Sequence, residues 1–267
     1  YLVGFLSQKS NIVYCLFSDT QGKSSLINTF LEKNENPRET LVLEYSFGRK
    51  SYQKPGIDKT VCHVWEYGGK LEMLSDVIMS IPVRGNFFFC IMIDLSAIKA
   101  IWNTIEICLE TIEKNYTKPA SSPEILIIGG NYHLFKNLGM YYNCIIKKLV
   151  CLTLRSIALL YKAHVIFYSH KEANLVRKVK EMCHGMGFGK GISLKEKNTN
   201  FTKPLIIAKD SDSWENIGVP PSTLQQPEIK LKSSDNEIQR THPEPILDTI
   251  SALKYEELGN LYGIYGV

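Results

Sequence analysis

The sequence predicts an α/β fold: a mostly parallel sheet covered by helices on both faces. Two observations carry this. Apolar, strand-like runs alternate with helix-spaced segments over the first 185 residues or so, and several of those runs are apolar throughout. Strands that alternate apolar and polar residues face solvent on one side; continuously apolar strands are buried on both.

In chain order, Ile12 to Phe17 is the first strand, and Gly22 to Glu32 follows with helical spacing at Leu26, Ile27, Phe30 and Leu31. Leu41 to Phe47 and Val61 to Tyr67 are two further strands. The polar stretch between them, Gly48 to Lys59, contains Pro55 and Gly56 and reads as a hairpin loop. Asn86 to Leu95 is a buried strand ending in Asp94. Ala97 to Lys114 is a helix with apolar residues at Ile98, Ile101, Ile105, Cys108, Leu109 and Ile112. Glu124 to Gly129 is another buried strand, Leu138 to Lys162 a long helix, Val165 to Tyr168 a strand and Lys171 to His184 a helix.

After Gly185 the alternation stops. Pro204 to Ala208 reads as one short strand. Asp210 to Pro245 is rich in Pro, Ser, Asp and Asn without a period. Pro245 to Leu258 has the spacing of a short amphipathic helix. The expected organisation is a domain over residues 1–185 and an extended C-terminal arm over 186–267. The arm is expected to dock on a partner through Ile206, Ile207, Trp214, Ile217 and Val219.

Composition excludes several classes. With 31 Lys and Arg against 27 Asp and Glu in 267 residues, the net charge is +4, too weak to mark a nucleic-acid binder. The seven Cys form no C-x-x-C pair and several sit in apolar runs, which fits reduced, buried thiols better than a disulfide framework or zinc site. Apolar stretches of about 18 residues are absent, so no membrane insertion is expected. The run Tyr1 to Leu6 has no basic leader and does not read as a signal peptide.

The motif with chemical content is Phe17-Ser18-Asp19-Thr20-Gln21-Gly22-Lys23-Ser24. A phosphate loop needs its second glycine so that backbone N–H groups can curl round phosphate, Lys for phosphate charge, and Ser or Thr for Mg²⁺. Gly22, Lys23 and Ser24 occupy those places between a strand and a helix, but Phe17 stands where the first glycine belongs. A plain strand–turn–helix junction is the alternative reading. Candidate nucleotide contacts are Gly22, Lys23, Ser24, Ser25 and Thr40, with Ser24 and Thr40 as Mg²⁺ ligands if a guanine or adenine nucleotide is bound.

Further stations of a Ras-like GTPase can be sought by position. Thr40 precedes the second strand, where the Mg²⁺-sensing Thr is placed. Glu66-Tyr67-Gly68-Gly69 stands for D-x-x-G, followed by Lys70 instead of a water-orienting Gln. Gly130-Asn131-Tyr132-His133 stands where N-K-x-D reads guanine, and Tyr168-Ser169-His170-Lys171 where the base pocket closes. Without the carboxylate the guanine N–H donors lose their partner. Hydrolysis is not expected. Asp94 is read as capping the following helix at Ser96–Ala97 rather than as catalytic. Trp65, Tyr45 and Phe47 are read as core or hairpin packing, with partner-facing anchors the alternative, and Arg49 and Lys50 as a solvated tip.

The same residues resemble the dynein light intermediate chain family. The run Thr40 to Lys50 resembles its T-L-x-L-E-Y-x-Y-G-R-R, Val64 to Gly69 its x-W-E-L-G-G, and Leu126 to Phe135 its V-I-I-G-S-K-Y-D-V-F. Leu152-Thr153-Leu154-Arg155 and Asp212 to Pro221 resemble further runs. Leu43 to Lys50 favours the branch of cytoplasmic dynein 2, the motor of retrograde intraflagellar transport. The resemblance runs from about Ile12 to Pro221. It implies a Ras-like P-loop fold without catalysis, docked on the dynein heavy-chain tail, with other dynein 2 subunits and intraflagellar transport trains as partners. It also implies a place in the cytoplasm, cytoskeleton and cilium. An active nucleotide switch or adaptor using Gly22-Lys23-Ser24 is the alternative.

Overall fold

A computed structural model describes residues 10–17, 22–50, 60–79, 86–116, 123–138, 142–189, 191, 192, 194 and 196–218. The expected loop residues Ser18 to Gln21, Pro55 and Gly56, the expected helix Pro245 to Leu258, and Val219 lie outside the described residues, as does the Phe17 side chain.

Seven strands form one sheet in the order β2-β3-β1-β4-β5-β6-β7. They are β1 (Ser10–Phe17), β2 (Leu43–Lys50), β3 (Thr60–Tyr67), β4 (Asn86–Asp94), β5 (Glu124–Gly130), β6 (His164–Phe167) and β7 (Ile206–Ile207). β3, β1, β4, β5 and β6 run parallel; β2 and β7 pair antiparallel at the two edges. The helices are α1 (Lys23–Leu31), α2 (Leu74–Met79, entered through a 3-10 turn at Leu71–Met73), α3 (Ile98–Asn115), α4 (Tyr132–Lys136), α5 (Tyr142–Leu160), α6 (Ala173–Phe188) and α7 (Trp214–Ile217).

The apolar run of β4 shows why the sheet needs cover on both sides. Successive side chains point to opposite faces. Phe89, Ile91 and Ile93 join one core with Ile101, Ile105 and Cys108 of α3 and Val150 and Leu154 of α5. Phe88, Cys90 and Met92 join the other with Leu26, Ile27 and Phe30 of α1 and Val179, Met182 and Met186 of α6. Each such buried side chain contributes roughly 1.5–3 kcal/mol. Among the described residues Cys62, Cys90, Cys108, Cys151 and Cys183 are buried free thiols and Cys144 is exposed.

The expected helix Leu138 to Lys162 is α5, which begins at Tyr142, and the short α4 before it was not anticipated. Asn131 takes a left-handed conformation (φ 55°) to start α4. The stretch Leu71 to Met79, not anticipated, is helical because Leu71, Leu74 and Ile78 fall on one side; Leu74 and Ile78 are fully buried.

The C-terminal segment departs most from expectation. The chain divides into compact units at Tyr1–Leu224 and Gln225–Val267, not after residue 185, and the second unit lies outside the described residues. Residues 196–218 belong to the first unit. Ile206 and Ile207, expected to meet a partner, pair with Ile166 and Val165 of β6 and are buried on the chain's own sheet; Ile217, in α7, is buried too. Trp214 opens α7 behind a Ser213 N-cap. The anchor is ionic. Arg155 of α5 donates through Nε and Nη2 to the two carboxylate oxygens of Asp212, at 2.7 and 3.0 Å, and Nη2 also reaches the Asn216 carbonyl at 3.1 Å. Both side chains are at least nine-tenths buried. Burial would raise the Asp212 pKa, but the Arg155 hydrogen bonds and charge hold it below the ordinary aspartate range.

Beside this anchor, His164 of β6 accepts the Lys209 N–H on Nδ1 at 3.3 Å, so Nε2 carries the proton donated to Glu124 at 3.0 Å. Lys209 Nζ lies 3.0 Å from the same carboxylate oxygen. Burial pulls the His164 pKa below the ordinary imidazole value, and the Glu124 carboxylate only partly offsets it.

Two measurements check these anchors. Asp212→Ala leaves the Arg155 guanidinium buried without its partner and is expected to lower unfolding free energy by about 3–5 kcal/mol in urea titration. For His164, the unfolded chain takes up the proton first as pH falls below about 6.5. The neutral ring's contribution is complete above that pH and is lost as pH falls towards the depressed folded value. The urea midpoint should therefore drop between about pH 7 and pH 5.5, and His164→Gln should make the drop shallower.

Candidate functional site

The candidate residues gather at the C-terminal ends of the parallel strands, where α/β sheets place their ligands. β1 ends at Phe17, β3 at Tyr67, β4 at Asp94 and β5 at Gly130. Gly22 precedes α1 with φ 141°, a conformation that L side chains rarely adopt.

Lys23 opens α1 and is buried, with 6% of its surface exposed. Its ammonium points at the β3 end: a Cβ placed on Gly68 would stand 3.0 Å from Lys23 Nζ. The Ser24 hydroxyl lies 2.8 Å from both the Arg38 carbonyl and Glu66 Oε1, sharing its proton between the two acceptors. Thr40, 4% exposed, donates its hydroxyl to Glu44 Oε2 at 3.1 Å and also bonds to the Glu66 carboxyl. Ser25 is half-buried, and its carbonyl accepts the Thr29 hydroxyl within α1 at 2.7 Å. Lys23, Ser24 and Thr40 thus come together as expected, while Ser25 serves the helix.

The residue that organises them is Glu66. It is 5% exposed and stands directly opposite Glu44 in the β2–β3 register. Facing like charges repel. Burial raises the Glu66 pKa above the ordinary carboxylate range. The Ser24 and Thr40 hydrogen bonds and the Lys23 charge pull against that, and Glu44 pushes with it. Gly68 completes the arrangement: a Cβ there would fall 1.8 Å from the Thr40 carbonyl oxygen. Glu44 and Gly68 did not stand out in sequence. The signal was the pair of Glu-Tyr steps, Glu44-Tyr45 and Glu66-Tyr67, on two strands of one hairpin.

The base-reading station is closed upon itself. Asn131 Nδ2 donates to Asp94 Oδ1 at 3.0 Å, and the same oxygen accepts the Ser96 N–H at 2.9 Å and hydroxyl at 2.6 Å. Asp94 thus ties the turn before α3 and is not the helix cap that its strand-end position suggested. Its carboxylate caps Ser96 and not the first turn of the helix. His133 stands where a guanine-reading carboxylate is expected. Its Nδ1 lies 3.1 Å from the Ser169 hydroxyl, and its ring packs edge-on to His170 at 5.0 Å. Burial, Lys171 and His170 lower its pKa.

A guanine nucleotide with Mg²⁺ asks for two free hydroxyls and a base-facing carboxylate. The residues present do not fit it: both hydroxyls serve protein acceptors, and position 133 is an imidazole. Among the described residues, no group of three or more His, Cys, Asp or Glu is placed to hold a metal ion.

Comparison with known proteins places this site in context. No family model matches the sequence. The chain is similar to cytoplasmic dynein 2 light intermediate chain 1 of Danio rerio, with 26% identity over 95% of this chain and 85% of that protein. It is likewise similar to the proteins of that name from Bos taurus, at 28% over 92% of this chain and 75% of theirs, and Homo sapiens, at 29% over 78% and 68%. The crystal structure of the dynein light intermediate chain's conserved domain superposes with a TM-score of 0.52 over 79% of this chain and 85% of that one, at 12% identity. The expected resemblance is therefore borne out, and so is the expected Ras-like P-loop fold.

The close approach at Gly68 is directly testable. Gly68→Ala must displace the Thr40 backbone and is expected to cost at least ~3 kcal/mol in urea unfolding, against ~1 kcal/mol or less for an exposed substitution such as Glu72→Ala.

Proposed function

We propose that this chain is a non-catalytic light intermediate chain of a cytoplasmic dynein 2 motor, one that binds and steadies the heavy-chain tail during retrograde intraflagellar transport. The observation that carries the reading is the likeness to proteins of that name along nearly the whole chain. The rearranged hydroxyls and the imidazole at 133 support the absence of catalysis, because phosphoryl transfer needs preorganised charge and a positioned water.

A surface suited to docking lies on the outer face of the β2–β3 hairpin. Tyr45 and Phe47, expected as core or hairpin packing, are 45% and 49% exposed. They stack at 6.3 Å. Tyr45 packs on Trp65 at 4.8 Å and meets His63 Nδ1 through its hydroxyl at 2.8 Å. Arg49 lies 5.2 Å above the Phe47 ring, and with Lys50 is solvent-exposed as expected. Aromatic residues and Arg held this firmly are typical binding anchors. Tail binding, ciliary location and the wider set of transport partners all belong to this proposal.

The test is co-purification of the chain with the dynein 2 heavy-chain tail, followed by titration. Tyr45→Ala with Phe47→Ala should weaken binding at least ~30-fold while the fold is kept, since anchor residues contribute about 2 kcal/mol or more. Failure to recover the tail at low salt would retire the reading. Stoichiometric guanine nucleotide released on denaturing the purified chain would instead favour the nucleotide-switch alternative.

A further inference from the structure

The eleven residues between α1 and β2, 32–42, carry no regular structure, and residues 34–39 are all exposed. Such a segment is ordinarily among the least stable parts of a domain. Here it is fastened along its whole length. Lys33 Nζ donates to the Ser46 hydroxyl on β2 at 3.0 Å. Asn28 Nδ2, on α1, donates to the Glu35 carbonyl at 3.1 Å. Ser24 holds the Arg38 carbonyl at 2.8 Å. Thr40 is buried against Glu44, Glu66 and Gly68. The Gly68 N–H donates to the Val42 carbonyl at 2.9 Å.

In nucleotide switches of this fold class, the corresponding loop is ordered by contacts to Mg²⁺ and the terminal phosphate and is released when they go. We infer that this strap is a switch segment fixed in its closed position by the protein's own side chains, with Ser24 redirected from metal to the Arg38 carbonyl and Glu66. The inference does not depend on which partner the chain binds.

The geometry gives the strap a purpose. Its end places Leu41 and Val42 in solvent, 82% and 50% exposed, immediately before Tyr45 and Phe47 of β2. A strap that opened and closed would expose and remove these side chains in turn. A fastened one keeps Leu41, Val42 and the start of β2 in one arrangement whatever nucleotide is present.

Trypsin cleavage after Arg38, followed by mass spectrometry on the purified full chain, reads strap opening directly, because the scissile carbonyl is the one that Ser24 holds. When opening is fast relative to cleavage, the rate follows the population of the open form. The wild-type rate should be the same in EDTA and in excess Mg²⁺ with GTP or with GDP. Ser24→Ala should raise it about tenfold, the weight of one or two hydrogen bonds. Asn28→Ala, which frees the other end, should raise it several-fold. If Ser24→Ala does not fold, Asn28→Ala decides. A wild-type rate that falls several-fold on adding Mg²⁺ and nucleotide overturns the inference, as does a wild-type rate in the folded variants.

Discussion

A carboxyl group buried at the end of β3 sets the terms for everything around it. Glu66 has one-twentieth of its surface in contact with solvent, and a second glutamate lies across the strand pair. An ionised carboxylate in such a place is untenable unless hydrogen bonds and opposite charge compensate it. Ser24, Thr40 and Lys23 provide that compensation, Lys23 and Ser24 from the first turn of α1 and Thr40 from the strap. Their convergence fixes where α1 begins, where the strap must pass and why position 68 cannot carry a side chain. Catalytic loops of this fold direct the same residue types at phosphate and metal. In this chain they are turned inward, and the strand end is a structural joint.

A second joint does for the C-terminal segment what the first does for the strap. Arg155 and Asp212 stand 57 residues apart in sequence, and their bidentate contact draws residues 196–218 onto the sheet. A buried ion pair of this kind specifies a position more than it adds stability, because desolvation consumes much of the attraction. The surrounding contacts make the position worth specifying. Ile206 and Ile207 complete the sheet beside β6, and the Lys209 backbone locks the tautomer of His164.

How far the sequence was legible depended on whether the deciding interactions were local. Every strand from β1 to β6 was recognisable, because an apolar run such as Phe87 to Ile93 has no other stable setting than a two-sided core. The meeting of Lys23, Ser24 and Thr40 was also readable, since a strand–loop–helix order fixes it. What escaped was long-range. Residues 196–218 looked like a free arm because nothing local in that Ser- and Asp-rich text announces that Asp212 has a buried arginine waiting. Tyr45 and Phe47 looked like packing because alternation along a strand does not reveal whether a helix covers that face. The role of Glu66 was hidden in the same way, since its neighbours come from residues 23, 24, 40 and 44.

The two borders of the sheet are unequal. β7 is a stub of two residues, which gives an approaching chain almost no backbone to pair with. β2 is an eight-residue ribbon, but it carries Glu44, Arg49 and Lys50 in solvent. Unpaired ribbons tend to zip onto copies of themselves, and a short stub on one side with ionised groups on the other resists that. The chain can therefore show bare aromatic rings to water without inviting fibre-like stacking of its own sheet.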